Sequence, residues 1–342
     1  MRRIGIIGAG TMGRWHAQRW AALITRGAPA QLAGFFDMDA TMAENAAAQC
    51  GGRAFASQDA LFADVDTIVV TTPTPTHRDV VVAAAAQGKD IFCEKPMARH
   101  QKDCRDMIAA CAASGSRLFI GQVVRFFPEF ARAHEVLARG DIGQPGVIRT
   151  TRGGSHPKTG RNWYADYDQS GGVILDLAIH DLDYVRWCCG DVERVYAQGL
   201  MHAGLPQTDY ALISLRFKSG AMGHVEASWA YPPGKFVTRL EIAGVSGLIE
   251  FNSERMTPLQ VWAQAEAQGQ GSGVTIPESP LAEEDDPYYR EDKHFLDCLI
   301  SGEPFMIQPE DGLAAVEIAL AAIHSLRTGK PVSLESFEEV LP

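Results

Sequence analysis

With 342 residues and 46% hydrophobic composition, the chain exceeds one ordinary core and reads as two globular domains. A formal net charge of −11 excludes nucleic acid and anionic membrane as principal partners, since both demand clustered Lys and Arg. Seven cysteines with no Cys-x-x-Cys pair argue against a disulfide framework or a zinc site; with no signal segment and no apolar run of about 18 residues, a soluble cytoplasmic protein is expected.

Up to residue 122, short β-branched runs at 3–7, 31–36, 67–71, 90–93 and 117–121 alternate with alanine-rich helical periods at 13–25, 40–49, 78–87 and 101–113. That alternation predicts a doubly wound parallel sheet, an α/β Rossmann domain whose ligands lie at the carboxyl ends of its strands. Gly88 and Gly115 stand where helices should stop. A helix at 128–139 leads into a different texture at 147–261, with alternating strands at 210–217, 221–230, 237–243 and 247–251 and one helix at 172–188. After a Gly/Gln-rich loop at 264–273, helices at 288–301 and 309–328 complete the chain. The expected division is therefore a Rossmann domain at 1–122 and a mainly antiparallel α+β domain at 123–342, with the final helices free to pack back on the first.

The first strand runs into Gly8-Ala9-Gly10-Thr11-Met12-Gly13. A GxGxxG between a strand and a helix is a dinucleotide loop: Gly8 for the tight turn, Gly10 for approach of backbone to pyrophosphate, Gly13 for helix–strand packing. Thr11 and Met12 supply N–H groups at the helix N-terminus, where phosphates bind. Asp37, at the end of the second strand, is placed to accept the adenosine ribose hydroxyls and to repel a 2′-phosphate; Met38 and Asp39 offer no cation, so NAD is favoured over NADP. Asp37 would also serve as N-cap of the next helix.

Thr72-Pro73-Thr74-Pro75-Thr76-His77 and Glu94-Lys95-Pro96 each follow a buried strand and so fall on the ligand edge of the sheet. Read alone, the second is only a turn with a surface ion pair; its position makes Lys95 a cation where nicotinamide and a substrate hydroxyl should meet. In the second domain, Gly171-Gly172-Val173-Ile174-Leu175-Asp176-Leu177-Ala178-Ile179-His180 sets an acid and an imidazole four apart on one buried helix, hence on one face. No His/Cys/Glu pair at matching spacing completes a metal site.

Taken in order, the Gly8 loop, Asp37, Thr72–His77, Glu94-Lys95-Pro96, Gly121–Pro128 and Gly171–His180 resemble the Gfo/Idh/MocA family of sugar and cyclitol dehydrogenases over essentially the whole chain. The resemblance implies a second domain built on a large open sheet that makes homodimers or homotetramers. It implies that Lys95 is the catalytic lysine and that Asp176 and His180 are the acid–histidine pair. A histidine titrates near neutrality and suits the proton transfer, Lys95 would stabilise developing alkoxide, and Asp176 would hold a neighbouring hydroxyl; which of His180 and Lys95 takes the proton stays open. Relatives carry an Arg near substrate and cofactor where Arg125 stands, although a structural ion pair would also explain it. The polar–aromatic segment 155–168, with His156, Asn162, Trp163, Tyr164 and Asp166, suits a polyol, while Trp163 and Tyr164 would equally pack on the sheet; Tyr288 and Tyr289 are weaker candidates. Thr74 replaces the Asn of many relatives, and Phe236 falls where some inositol-type members place a Tyr, which leaves the substrate undefined.

The expected activity is hydride transfer between nicotinamide and a secondary alcohol or ketone of a sugar, sugar acid or inositol-like polyol. Two other readings follow from relatives: an NAD-dependent glycosidase acting by transient sugar oxidation, and a non-catalytic NAD-binding regulator. The presence of Lys95, Asp176 and His180 together argues against the regulator.

Overall fold

The structure, a computed structural model, describes residues 1–157, 163–201, 207–255, 259–263 and 286–339. Along the chain run β1 (Arg2–Ile7), α1 (Thr11–Thr25), β2 (Ala30–Phe36), α2 (Ala40–Cys50), β3 (Arg53–Ala54), α3 (Gln58–Phe62), β4 (Thr67–Val70), α4 (His77–Ala86), β5 (Asp90–Glu94), α5 (Gln101–Ser114) and β6 (Leu118–Gly121). There follow α6 (Pro128–Ala138), β7 (Pro145–Gly153), α7 (Tyr167–Ser170), α8 (Ile179–Cys189), β8 (Val192–Leu200), β9 (Tyr210–Phe217), β10 (Met222–Ser228), β11 (Val237–Gly244), β12 (Gly247–Asn252) and β13 (Leu259–Ala263). Last come α9 (Pro287–Ser301), α10 (Pro309–Thr328) and β14 (Val332–Ser333). Two compact units result, Met1–Phe126 with Ala282–Ala314 and Phe127–Leu281 with Ala315–Pro342.

In the first unit six parallel strands take the order β3-β2-β1-β4-β5-β6. The order reverses between β1 and β4, which puts a ligand crevice over their carboxyl ends. All four residues of β4 and of β6 are buried, as a sheet covered on both faces requires. The return of α9 to this unit is a matter of apolar spacing. Asp292, Phe295, Leu296 and Leu299 recur three and four apart on its buried face, and Phe295 meets Phe92 at 5.5 Å and Phe119 at 5.7 Å between ring centroids. Burying such a ring contributes roughly 2 kcal/mol.

In the second unit eight strands take the order β13-β12-β11-β7-β10-β9-β8-β14, antiparallel except for the parallel pair β7 and β10. Along β9, Ala211, Ile213, Leu215 and Phe217 are buried, while Leu212 and Arg216 between them are exposed, the alternation of a sheet covered on one face. On the covered face, the Tyr184 hydroxyl of α8 donates to the Phe130 carbonyl of α6 at 2.9 Å, and Ser325 of α10 accepts the Ala197 N–H of β8 at 3.0 Å.

Residues 172–188, expected as one continuous α-helix, instead contain a π-helical turn at Ile174–Ala178 ahead of α8. Helical periodicity cannot distinguish an i→i+5 turn from an i→i+4 turn over five residues, and such turns concentrate at functional sites. The elements β3, α3 and β14 are too short to leave a periodic pattern. Among the described residues, no helix is long and apolar enough to cross a membrane and no group of three or more His, Cys, Asp or Glu side chains is placed to hold a metal ion.

One buried ion pair fastens α8 to the sheet: Arg152 Nε donates to Asp181 Oδ2 at 2.6 Å, with the two side chains 3% and 1% exposed. Removing one partner leaves an uncompensated buried charge. Asp181→Leu should therefore lower unfolding free energy by about 3 kcal/mol in urea denaturation, and the double variant with Arg152→Met should recover part of it. A loss below about 1 kcal/mol would show the pair to be structurally idle.

Candidate active site

The glycine loop and its helix make a cradle whose shape is dictated residue by residue. Gly8 has φ 98°, and a Cβ there would lie 2.7 Å from the Thr71 carbonyl carbon; at Gly13 a Cβ would overlap the Gly8 carbonyl oxygen. Neither position accepts a side chain. Gly10 differs: among the described residues a Cβ would meet nothing within 4 Å, so the N-terminus of α1 leaves room there. Among the described residues no side chain caps α1, and no acidic residue occupies its first turn; Thr11 is exposed and Met12 half-buried. Uncapped N–H groups at a helix N-terminus, faced by a glycine, fit a pyrophosphate.

Asp37 follows β2 and is fixed by the backbone around it. Its Oδ2 accepts the Ala9 N–H at 2.8 Å and its Oδ1 the Asp39 N–H at 2.9 Å. The N-cap of α2 is Asp39, which accepts the Thr41 N–H at 3.1 Å, so the capping role does not fall to Asp37. A carboxylate anchored to the loop itself fits the ribose of a dinucleotide without a 2′-phosphate.

The two corners after β4 and β5 are tied to each other. The Thr71 hydroxyl donates to the Gly8 carbonyl at 2.7 Å, and the Thr76 hydroxyl stands 2.8 Å from that of Thr72. Pro73 is exposed, whereas Thr74 is 3% exposed at the start of a 3₁₀ turn. His77, expected beside the cofactor, is 1% exposed and acts as a clamp: Nδ1 lies 2.9 Å from the Pro96 carbonyl and Nε2 2.8 Å from that of Thr72. Burial pulls its pKa down toward the neutral ring, which donates to one carbonyl at a time. Lys95, half-buried, directly follows the carboxyl end of β5, and its peptide bond to Pro96 is cis.

Glu94 faces inward, into a charged cluster that sequence reading missed. Its Oε1 lies 2.8 Å from His16 Nε2, its Oε2 accepts the Lys95 N–H at 3.0 Å, and His16 Nδ1 lies 2.9 Å from Asp292 Oδ1. His16 and Asp292 are fully buried. A signal existed: His16 falls on the buried stripe Gly13, His16, Ala17, Trp20 of α1, and Asp292 on that of α9, so each helix spends an apolar position on a polar residue. Burial opposes the charge on His16, but the charge and hydrogen bonds of Asp292 and then Glu94 outweigh it and hold the imidazole pKa well above 6.5; burial raises that of Asp292. Arg19 adds its field at Asp292, and the Tyr288 ring edges onto His16 at 5.9 Å.

The sign of the pH effect follows. A raised histidine pKa contributes stability that is present below 6.5 and lost as pH climbs through the folded value. Between about pH 6 and about pH 9 the native protein should therefore lose several degrees of melting temperature more than a His16→Leu/Asp292→Leu double variant. Parallel profiles would contradict this.

Arg125 is 2% exposed; its Nη1 donates to the Met306 carbonyl and to Asp311 Oδ2, both at 3.3 Å, which is the structural ion pair. Tyr288 packs edgewise on Trp15 at 6.1 Å and Tyr289 takes Arg26 over its ring at 5.3 Å, so both serve the packing of α9 on α1.

In the second unit, Gly171 and Gly172, both at positive φ, lead into the π turn that carries Asp176 and, directly after it, His180 at the start of α8. Asp176 is 8% exposed and His180 half-buried. His156 is 8% exposed, edge-on to Trp229 at 5.0 Å. Trp163 stacks on Tyr164 at 4.1 Å, and the Tyr164 carbonyl accepts from Ser170 at 3.0 Å and Gln207 at 2.9 Å, which pins the polar–aromatic segment. Asp166 is the N-cap of α7, accepting the Asp168 N–H at 3.0 Å. Asn162 lies outside the described residues. Phe236 is 59% exposed.

Comparison with known proteins matches residues 2–122 to the profile described as oxidoreductase family, NAD-binding Rossmann fold, and residues 130–250 to that described as GFO/IDH/MocA C-terminal domain. The chain is 32% identical to a myo-inositol 2-dehydrogenase of Thermotoga maritima, covering 97% of this chain and 98% of the relative. It is 29% identical to a scyllo-inositol 2-dehydrogenase (NAD(+)) of Bacillus subtilis, covering 97% and 96%. Among solved structures, GenD2 from gentamicin A biosynthesis in complex with NAD superposes with a TM-score of 0.83 at 27% identity, over 97% of this chain and 96% of that one.

Proposed function

This chain belongs to the Gfo/Idh/MocA family and is an NAD-dependent dehydrogenase, and on that premise we propose that it oxidises a secondary hydroxyl of a cyclitol or sugar, or reduces the corresponding ketone. The observation that carries the reading is the lysine at the carboxyl end of β5, in a unit whose glycine loop and Asp37 together fit NAD. When bound, the nicotinamide supplies the hydride acceptor or donor. Everything else falls to the protein.

The uncapped N-terminus of α1 holds the pyrophosphate and Asp37 the adenosine ribose. Lys95 donates a hydrogen bond to the reacting oxygen and stabilises its alkoxide charge as the carbinol hydrogen departs. A ring nitrogen of His180 takes the hydroxyl proton, and Asp176 holds a neighbouring hydroxyl so that one carbon is presented. His156 and Trp163 line the substrate subsite in this reading. The experiment is a panel of inositols, aldoses and sugar acids followed by NADH absorbance. Turnover of at least one member supports the proposal, and NAD binding without turnover of any member or keto counterpart refutes it.

We place the protein in the cytoplasm, since none of its seven cysteines forms a disulfide. We further propose a homodimer or homotetramer formed through the uncovered face of the eight-stranded sheet, where Leu212 and Met222 are 40% and 45% exposed. Light scattering should return two or four chains; a monomer at micromolar concentration would refute it.

A further inference from the structure

The amine of Lys95 stands on a peptide segment that the protein grips from both sides. On one side Glu94 Oε2 accepts the Lys95 N–H at 3.0 Å; on the other His77 Nδ1 lies 2.9 Å from the Pro96 carbonyl. Glu94 is itself held by His16 Nε2 at 2.8 Å, and His16 by both oxygens of Asp292 at 2.9 and 3.2 Å. The line therefore runs from α9 through α1 to the backbone of the residue after β5.

Packing does not require such a line. Phe92 at 4.9 Å and Tyr288 at 5.9 Å surround the His16 ring, an environment an aliphatic side chain would fill. Burying a charged trio there is generally no more stabilising than a well-packed apolar set of similar volume. What a trio supplies is direction: an imidazole with both nitrogens engaged has one ring orientation, and a carboxylate with both oxygens engaged has one plane. Glu94 has both its oxygens engaged, one by His16 and the other by the Lys95 N–H.

We propose that His16 is a positioning residue for Lys95, acting through Glu94 to fix the peptide from which the lysine amine projects, while Asp292 anchors the native imidazole in the core. The inference rests on the reading of Lys95 as the residue that meets the reacting oxygen. His16 also sits one turn into the helix that begins at the glycine loop, so the same ring sets the lysine corner in register with the nucleotide cradle.

Two substitutions at one position separate positioning from simple packing. An asparagine amide reaches the place of imidazole Nδ1 and a glutamine amide that of Nε2. His16→Asn keeps the Asp292 contact and loses Glu94, while His16→Gln keeps Glu94 and loses Asp292. With a substrate from the panel, kcat of His16→Asn should fall about 10²-fold, the effect of misplacing a reacting group by about an ångström, with KM and the NADH dissociation constant changed by less than about threefold. His16→Gln should recover most of that loss although its melting temperature falls as far. Equal kcat losses in the two variants, or losses that track melting temperature, would overturn the proposal.

A second measurement needs no substrate. The rate at which an acylating reagent labels the Lys95 amine, read by mass spectrometry against the exposed Lys218 and Lys293, should change several-fold in His16→Asn and little in His16→Gln. An unchanged Lys95 rate in both overturns positioning. A native protein that turns over no polyol, yet shows the labelling difference, defeats the dehydrogenase reading and leaves positioning standing.

Discussion

Replacing Lys95 with Met should lower kcat by about 10²- to 10³-fold while leaving the NADH dissociation constant within about threefold. Methionine keeps the length and apolar stem of lysine and removes only the ammonium. Removing a single charge-stabilising donor costs about 10²- to 10³-fold, and proton transfer stays with His180. The fold should tolerate the change, since Lys95 is only half-buried and its N–H bond to Glu94 is backbone. Stopped-flow turnover and NADH fluorescence titration measure the two quantities separately. A kcat within tenfold of the native value would remove Lys95 from the reaction, and with it the positioning role of His16.

Gly10→Val should have a comparably large effect on a different quantity. A Cβ at Gly10 meets no atom of the described residues within 4 Å, so the folded chain accommodates valine at the modest cost of a poor N-cap, about 1 kcal/mol. The same branched side chain would stand where a pyrophosphate must approach the N–H groups of α1. NAD affinity is therefore expected to fall by more than about 10²-fold while the melting temperature of the unliganded protein drops only a few degrees. Gly13→Ala should show the opposite pattern, loss of folded protein, because its Cβ overlaps the Gly8 carbonyl. Unchanged NAD affinity in Gly10→Val would mean that the dinucleotide does not lie on this loop.

Much of this was legible in the sequence because the relevant physics is local. The parallel strands announce themselves as short β-branched runs, the loop by three glycines between a strand and a helix, and Asp37 by its distance from them. What stayed hidden depends on contacts between distant segments. His16, Glu94 and Asp292 are separated by 78 and 198 positions, and nothing in a single helix says which partner its buried polar residue will find. His77 and Arg125 illustrate the converse. Both stand beside motif residues in sequence, but the side chains turn inward, one to carbonyls of Thr72 and Pro96 and the other to Asp311. Position along a strand edge identifies a corner without saying which of its side chains faces a ligand. The π turn carrying Asp176 was equally invisible, since five residues leave no period to read.

Direct hydride transfer from a carbinol carbon to nicotinamide is the step on which the proposed chemistry turns, and an isotope follows it. A cyclitol or sugar turned over by the protein, deuterated at the carbinol carbon, should be incubated with NAD and the reduced nicotinamide examined by mass spectrometry. One deuterium per nicotinamide reduced, with the ketone as co-product, is the predicted result. Reduced nicotinamide lacking deuterium, or consumption of the sugar with no reduced nicotinamide released, would contradict it.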